Sequence, residues 1–149
     1  MMTKRKGDIA EYAATLEALR RGWDVLIPVG DRLPYDLVFS IRETFIRVQV
    51  KHAWLSKRTK NYVVDSRRTK TNRRIMKRER YAKKDFDFAL VYIAEKNLFY
   101  VFPVDVFIRY GSEIHMTESQ KRQRKPASEQ FRNKWDSLLQ WATQKEIFA

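Results

Sequence analysis

The stretch "RLPYDLVFSIRETFIRVQVKHAW", Arg32 to Trp54, reads as two strands of a hairpin, "YDLVFS" and "FIRVQVK". Side chains along a strand alternate between two faces. Setting Asp36 opposite Gln49 also sets Ser40 opposite Phe45. One face then carries Leu37, Phe39, Ile41, Thr44, Ile46, Val48 and Val50, nearly all apolar. The other carries Asp36, Val38, Ser40, Phe45, Arg47, Gln49 and Lys51. A slip of one residue would mix the faces and bury charge, so burial selects this register. In it Asp36 and Gln49 are cross-strand neighbours, roughly 5 Å apart at Cβ. Lys51 lies two residues further along the same face, so the three polar residues cluster at one end of the hairpin.

That cluster suits a hard cation. Mg²⁺ takes oxygen ligands, usually one or two carboxylates completed by water and substrate phosphate. Asp36 offers a carboxylate, Gln49 a neutral carbonyl oxygen, and Val50 a backbone carbonyl between Gln49 and Lys51. A lysine beside such a cation can orient an attacking water or stabilise developing negative charge. The arrangement fits metal-assisted phosphodiester hydrolysis. The same residues also fit an amphipathic strand pair whose polar face is merely wet.

Outward from the hairpin, "GDIAEYAATLEALRRG" predicts a first helix, with Ile9, Tyr12, Leu16 and Leu19 at helical spacing and Gly22 as its stop. A second stripe, Glu11, Ala14 and Ala18, is small apart from its carboxylate. Small residues let a helix lie close to a sheet, which would bring Glu11 over a sheet edge. Asp8 is a rival for that role. "WDVLIP", "NYVV", "FALVYIA" and "LFYVF" read as strands, with "EKN" as the link between the last two. Pro103 opens a short helix in "PVDVFIRYG". A closing helix over about 127–146 shows Phe131, Trp135, Leu138 and Leu139 as its apolar face. Trp135, Trp141 and Phe148 are many aromatics for so short an element and point to an oligomer interface. The order of elements predicts one mixed α/β domain over 1–149, built on a central sheet flanked by helices.

Composition narrows the partners. There are 31 Lys and Arg against 18 Asp and Glu, a net charge of +13. A globular domain this basic faces a polyanion, nucleic acid first and an acidic membrane surface second. The chain has no cysteine, which excludes disulfides and thiolate metal sites and suits a cytoplasmic protein. No apolar run of about 18 residues and no signal peptide is visible, so no membrane association is expected.

With "GDIAE" on a first helix, then "PYD", then "VQVK", the chain resembles the PD-(D/E)XK nuclease superfamily. Within it, the pattern is most similar to the small bacterial homing endonucleases encoded in group I introns, which carry glutamine at the third motif position. Holliday-junction resolvases share the core. The resemblance implies a restriction-endonuclease-like fold and catalytic roles for Glu11, Asp36, Gln49 and Lys51. It implies Mg²⁺ held by Asp36, Gln49, Val50 and Glu11. It also implies a double-stranded DNA target, a homotetramer in preference to a dimer, and intron homing as the purpose of the cut. Two departures stand out: Tyr35 separates Pro34 from Asp36, and Gln49 replaces an acid, a neutral ligand that holds Mg²⁺ more weakly.

Between Lys57 and Lys84 lie 13 Lys or Arg against Asp65 and Glu79. The expected role of this basic insert, about 57–84, is DNA contact, as a β-ribbon or a loop. Cationic side chains neutralise phosphates and release counterions, while polar ones read base edges. The candidates are Lys57, Lys60, Arg67, Arg68, Lys70, Asn72, Arg73, Arg74 and Lys77, with Lys121 and Arg122 of "KRQRK" as a second patch. A charge run of this kind is also what a solvated face looks like. His52 follows Lys51 but points to the opposite face, and His115 is isolated. A resolvase that reads branched DNA by shape, and a basic nucleic-acid-binding protein without catalysis, are the alternatives to a homing endonuclease.

Overall fold

Helix α1 (Thr3–Arg20) opens the chain in this computed structural model, which describes residues 3–71, 76–118 and 126–148. Gly22, at φ +82°, closes the helix: its N–H donates to the Leu19 carbonyl and the Trp23 N–H to the Ala18 carbonyl, both at 3.0 Å. That paired pattern requires a left-handed residue, which glycine adopts without steric cost. Strand β1 (Asp24–Leu26) follows, then the hairpin of β2 (Leu37–Ile41) and β3 (Thr44–His52). Next come β4 (Trp54–Leu55), β5 (Tyr62–Asp65), β6 (Arg67–Thr71), β7 (Met76–Arg80), β8 (Phe88–Ile93) and β9 (Leu98–Pro103). A short helix α2 (Val104–Phe107), strand β10 (Glu113–Met116) and helix α3 (Asp136–Ile147) complete the described elements.

The central sheet runs β1-β2-β3-β8-β9. It is mixed: β3 and β8 pair in parallel, and the other neighbours are antiparallel. Leu37 pairs with Val48 and Ser40 with Phe45, the register that alternation demands. The link between β2 and β3 is two residues, Arg42 and Glu43, both at positive φ (51° and 67°). That is the type I′ arrangement whose twist matches a tight hairpin, made here without its usual Asn-Gly.

The sheet separates two cores. On one face Leu37, Phe39, Ile41, Ile46, Val48 and Val50 pack with Ala10, Ala14 and Ala18 of α1 and with Trp135, Leu138 and Ala142. On the other, Ala89, Val91, Ile93, Tyr100 and Phe102 meet Tyr62, Val64, Phe107, Ile114 and Met116. A second, three-stranded sheet, β10-β5-β4, covers part of this second face. The polar face of β3, with Arg47, Gln49 and Lys51, looks to the same side.

The small residues of α1 face the sheet, as their stripe predicts, and Ile9, Tyr12, Leu16 and Leu19 are exposed, Tyr12 by 76%. Three sequence expectations change. The closing helix starts at Asp136, not near 127. A 3-10 helix, Ala127–Phe131, precedes it, and left-handed Asn133 donates its N–H to the Phe99 carbonyl at 2.8 Å. That bond, with the bridge between Tyr100 and Arg132, spends on β9 the backbone that a longer helix would use. Trp135 and Trp141 serve the core, Trp141 lying edge-on to Phe88 at 6.3 Å, while Phe148 is exposed. The basic insert also divides. Its first part supplies β5, which pairs back to β4, and only β6 and β7 form a ribbon, with Arg67 paired to Arg80 and Lys70 to Lys77.

Candidate active site

Asp36 ends the loop before β2 and is fixed to β3 twice. Its N–H donates to the Val48 carbonyl at 2.9 Å, and its Oδ2 accepts the Val50 N–H at 2.8 Å. Extending the β2–β3 register one step places it across from Gln49. Gln49 is half-buried, and among the described residues its carboxamide takes no hydrogen-bond partner. Lys51, on the same face, donates from Nζ to the Arg67 carbonyl at 2.8 Å and lies 5.3 Å from the Tyr81 ring centre. Glu11 comes from α1, whose alanines let it lie close to β3 at the edge of the site.

The electrostatics bind these groups together. Burial pushes the Asp36 carboxyl up, against the Val50 N–H and Lys51, which pull it down. Glu11 is raised to about 7, by burial first, then by the charge of Asp36, then by Asp8. Asp8 itself is exposed, while Glu11 is partly buried and raised in part by the Asp36 charge. Lys51 is lowered to about 8, chiefly by burial, although Asp65 and Asp36 draw it upward. Two carboxylates raised chiefly by burial and a desolvated lysine make a site short of positive charge at its centre. Among the described residues no group of three His, Cys, Asp or Glu gathers. The donors are therefore two carboxylates, a free amide oxygen and a backbone carbonyl. That set is all oxygen and incomplete, which fits a hard divalent cation that keeps several waters.

The DNA-contact candidates scatter more widely. Lys57 and Lys60 are exposed between β4 and β5. Arg67, Arg68, Lys70 and Lys77 belong to the ribbon, where the Arg67 side chain is occupied by Asp65 at 3.1 Å and that of Arg68 donates to the Arg32 carbonyl at 3.1 Å. Asn72, Arg73, Arg74, Lys121 and Arg122 lie outside the described residues. His52 is half-buried on the face opposite Lys51, and His115 lies 3.4 Å from Glu113. Two participants escaped the sequence reading, Tyr81 beneath Lys51 and Asp65 beside it. Asp65 carried a signal, being one of two acids in the basic insert.

The family model described as PD-(D/E)XK endonuclease matches residues 1–138. The chain belongs to the PD-(D/E)XK endonuclease family. The solved structure of a bacterial homing endonuclease, I-Ssp6803I, is 56% identical and superposes with a TM-score of 0.92, covering 98% of this chain and 99% of that one. The structure of MepB is 16% identical with a TM-score of 0.42, over 77% of this chain and 82% of that one, a likeness too loose to bear on function. No curated protein matches.

Proposed function

We propose that this PD-(D/E)XK endonuclease is a site-specific homing endonuclease that makes double-strand breaks in DNA, with Mg²⁺ as cofactor, in the bacterial cytoplasm. The observation that carries the proposal is the β2–β3 register, which holds Asp36 by the Val50 N–H and the Val48 carbonyl across from Gln49, with Lys51 two residues further along the same face. The 56% identity to a bacterial homing endonuclease supports the biological role, spread of a group I intron into an allele that lacks it. No helix among the described residues is long and apolar enough to cross a membrane.

Asp36 and Glu11, with the Gln49 and Val50 carbonyl oxygens, would hold the cation. When bound, it supplies positive charge against the phosphate and acidifies water at the site. The Val50 N–H keeps the Asp36 carboxylate pointed at β3, and the β2–β3 register keeps Gln49 beside it. Lys51, as the ammonium, donates to a phosphate oxygen and stabilises charge that grows in the transition state. Desolvation, which lowers its affinity for a proton, also lets Nζ orient the attacking water. The ribbon and the turn with Lys57 and Lys60 supply phosphate contacts and base reading.

Cutting both strands needs two sites, so at least two copies assemble, and a homotetramer suits a long target. The exposed stripe of Ile9, Tyr12, Leu16 and Leu19 supports this. It borders a groove of about 640 Å³ and runs on past Ile9 toward exposed Trp54 and Leu55. A second copy is the occupant that the two-strand cut requires. Leu16→Glu is expected to shift the sedimenting species to a smaller one; an unchanged species would place the contact elsewhere.

The test of function is incubation of the purified protein with Mg²⁺ and linear genomic DNA. Discrete double-strand cuts that vanish with Asp36→Ala or Lys51→Ala are expected. Cuts that survive both substitutions would sink this site. Preference for branched junctions over any linear sequence would make it a resolvase, and binding without cutting a non-catalytic nucleic-acid-binding protein.

A further inference from the structure

Among the described residues, no carboxylate forms an ion pair with Lys51. Its ammonium donates to the main-chain carbonyl of Arg67, the first residue of the ribbon. That carbonyl is itself placed by Asp65. Asp65 Oδ1 accepts the Arg67 N–H at 2.8 Å and Arg67 Nε at 3.1 Å. Asp65 Oδ2 accepts a second nitrogen of Arg67 at 3.2 Å and Arg78 of the opposite strand at 2.6 Å. One carboxylate therefore closes the root of both ribbon strands. Asp65 is at the end of β5, which pairs with β10 and is buried on either side of the sheet at Tyr62, Val63 and Val64, so its own position is fixed by the second core. The ribbon root has two more ties: Arg68 donates to the Arg32 carbonyl, in the loop that leads to Asp36, and Arg80 to the Ile108 carbonyl at 2.8 Å.

We infer that Asp65 is a positioning residue for the nuclease reaction: by clamping Arg67 and Arg78 it sets the carbonyl that parks Lys51, and so couples the seating of the ribbon to the readiness of the site. A ribbon displaced at its root carries the Arg67 carbonyl with it, and Lys51 is released to the wrong place. A ribbon seated correctly leaves Lys51 one hydrogen bond away from exchanging its acceptor for a phosphate oxygen. Charge-assisted bonds of this kind hold geometry tightly, and a misplacement of about 1 Å at a reacting centre costs as much as about 10²-fold in rate. Selectivity for the target then comes partly from the site being assembled through the ribbon, rather than from binding alone.

This inference rests on the nuclease reading, and the two fail differently: a parent protein that never cuts DNA with Mg²⁺ ends the reading, whereas the inference is decided among variants of a parent that does. Asp65→Ala and Asp65→Asn are compared with the parent for target affinity without metal and for single-turnover cleavage with Mg²⁺. Asp65→Ala is expected to keep the dissociation constant within about threefold and to slow cleavage about tenfold or more, with Asp65→Asn between them because its amide oxygen still accepts the Arg67 N–H. The Lys51 ammonium resonance, slowed in proton exchange by its bond to Arg67, is expected to be visible in the parent and lost in Asp65→Ala. Should Asp65→Ala not fold, Arg78→Gln removes one leg of the clamp at a more exposed residue, and is expected to slow cleavage in the same direction by less. Unchanged cleavage, affinity and cleavage falling together, or an undisturbed Lys51 resonance would each overturn the role.

Discussion

The polar face of β3 presents two basic residues four positions apart, and they are treated oppositely. Arg47 is saturated. Its N–H donates to Asp87 at 2.8 Å, its guanidinium reaches both oxygens of Asp87 at 3.1 and 3.3 Å, and another nitrogen takes the Lys84 carbonyl at 2.6 Å. Its guanidinium also lies 6.0 Å from the Tyr35 ring. Lys51 has one carbonyl and an aromatic ring, and its nearest carboxylates, Asp36 and Asp65, are committed elsewhere. A pair whose charges answer one another is structure, because little charge is left to draw a ligand. An unsatisfied pair in the same strand is held for something that arrives later.

Substitutions separate the two ends. The largest effect is expected at Asp36. Asp36→Asn should reduce cleavage by about 10³-fold, read under single turnover. Its thermal midpoint should not fall, because the buried charge it removes is one that burial already disfavours. At the other end, Arg47→Met should cost about 2 kcal/mol in denaturant unfolding, by stranding the mostly buried Asp87 carboxylate, and leave cleavage per folded molecule near the parent's. An Asp36→Asn protein that loses stability, or an Arg47→Met protein that loses cleavage alone, would erase the distinction.

A pH series sharpens it. Burial, then the charge of Asp36, raises the Glu11 carboxyl to about 7 in the folded chain, from an ordinary value of 4.5. Between those values the folded state holds the extra proton, so its contribution to stability is present below 4.5 and lost as pH rises through about 7. Glu11→Gln removes that loss. In metal-free protein the variant should gain about 1 kcal/mol over the parent on going from acid to mildly alkaline solution, a figure reduced for the partial exposure of Glu11. Parallel melting curves across this range would show that Glu11 is raised neither by burial nor by Asp36. The smallest effect is expected at the hairpin turn, where Glu43→Gly relieves a positive φ and should stabilise by about 0.5 kcal/mol.

The hairpin was legible because its information is local. Alternation over β2 and β3 allows one register without buried charge, and that register delivers Asp36 to Gln49 and Lys51. The alanines of α1 were legible for the same reason, since helical spacing alone shows which stripe permits a close approach. What stayed hidden depends on partners far along the chain. Arg47 finds Asp87 forty residues on, and Lys51 finds a carbonyl, a group every residue has, so no residue type announces it. The closing helix was overread because Phe131 and Trp135 fit a helical stripe, whereas β9 competes for the backbone at 132 and 133. The stripe of Ile9, Tyr12, Leu16 and Leu19 marks a helix correctly but says nothing of whether its own core or another surface covers it.

The parallel pairing of β3 with β8 has an evolutionary reading. Val48 against Phe88, and Arg47 locked to Asp87, pin both ends of everything between them. Lengthening a loop whose ends are already held costs only about 0.6 kcal/mol per doubling. The scaffold can therefore accept exchange of the ribbon beyond its clamp at Asp65, Arg67 and Arg78, by grafting or by drift, while the carboxylates at its edge stay in register; a lineage can change what it reads without rebuilding what it does.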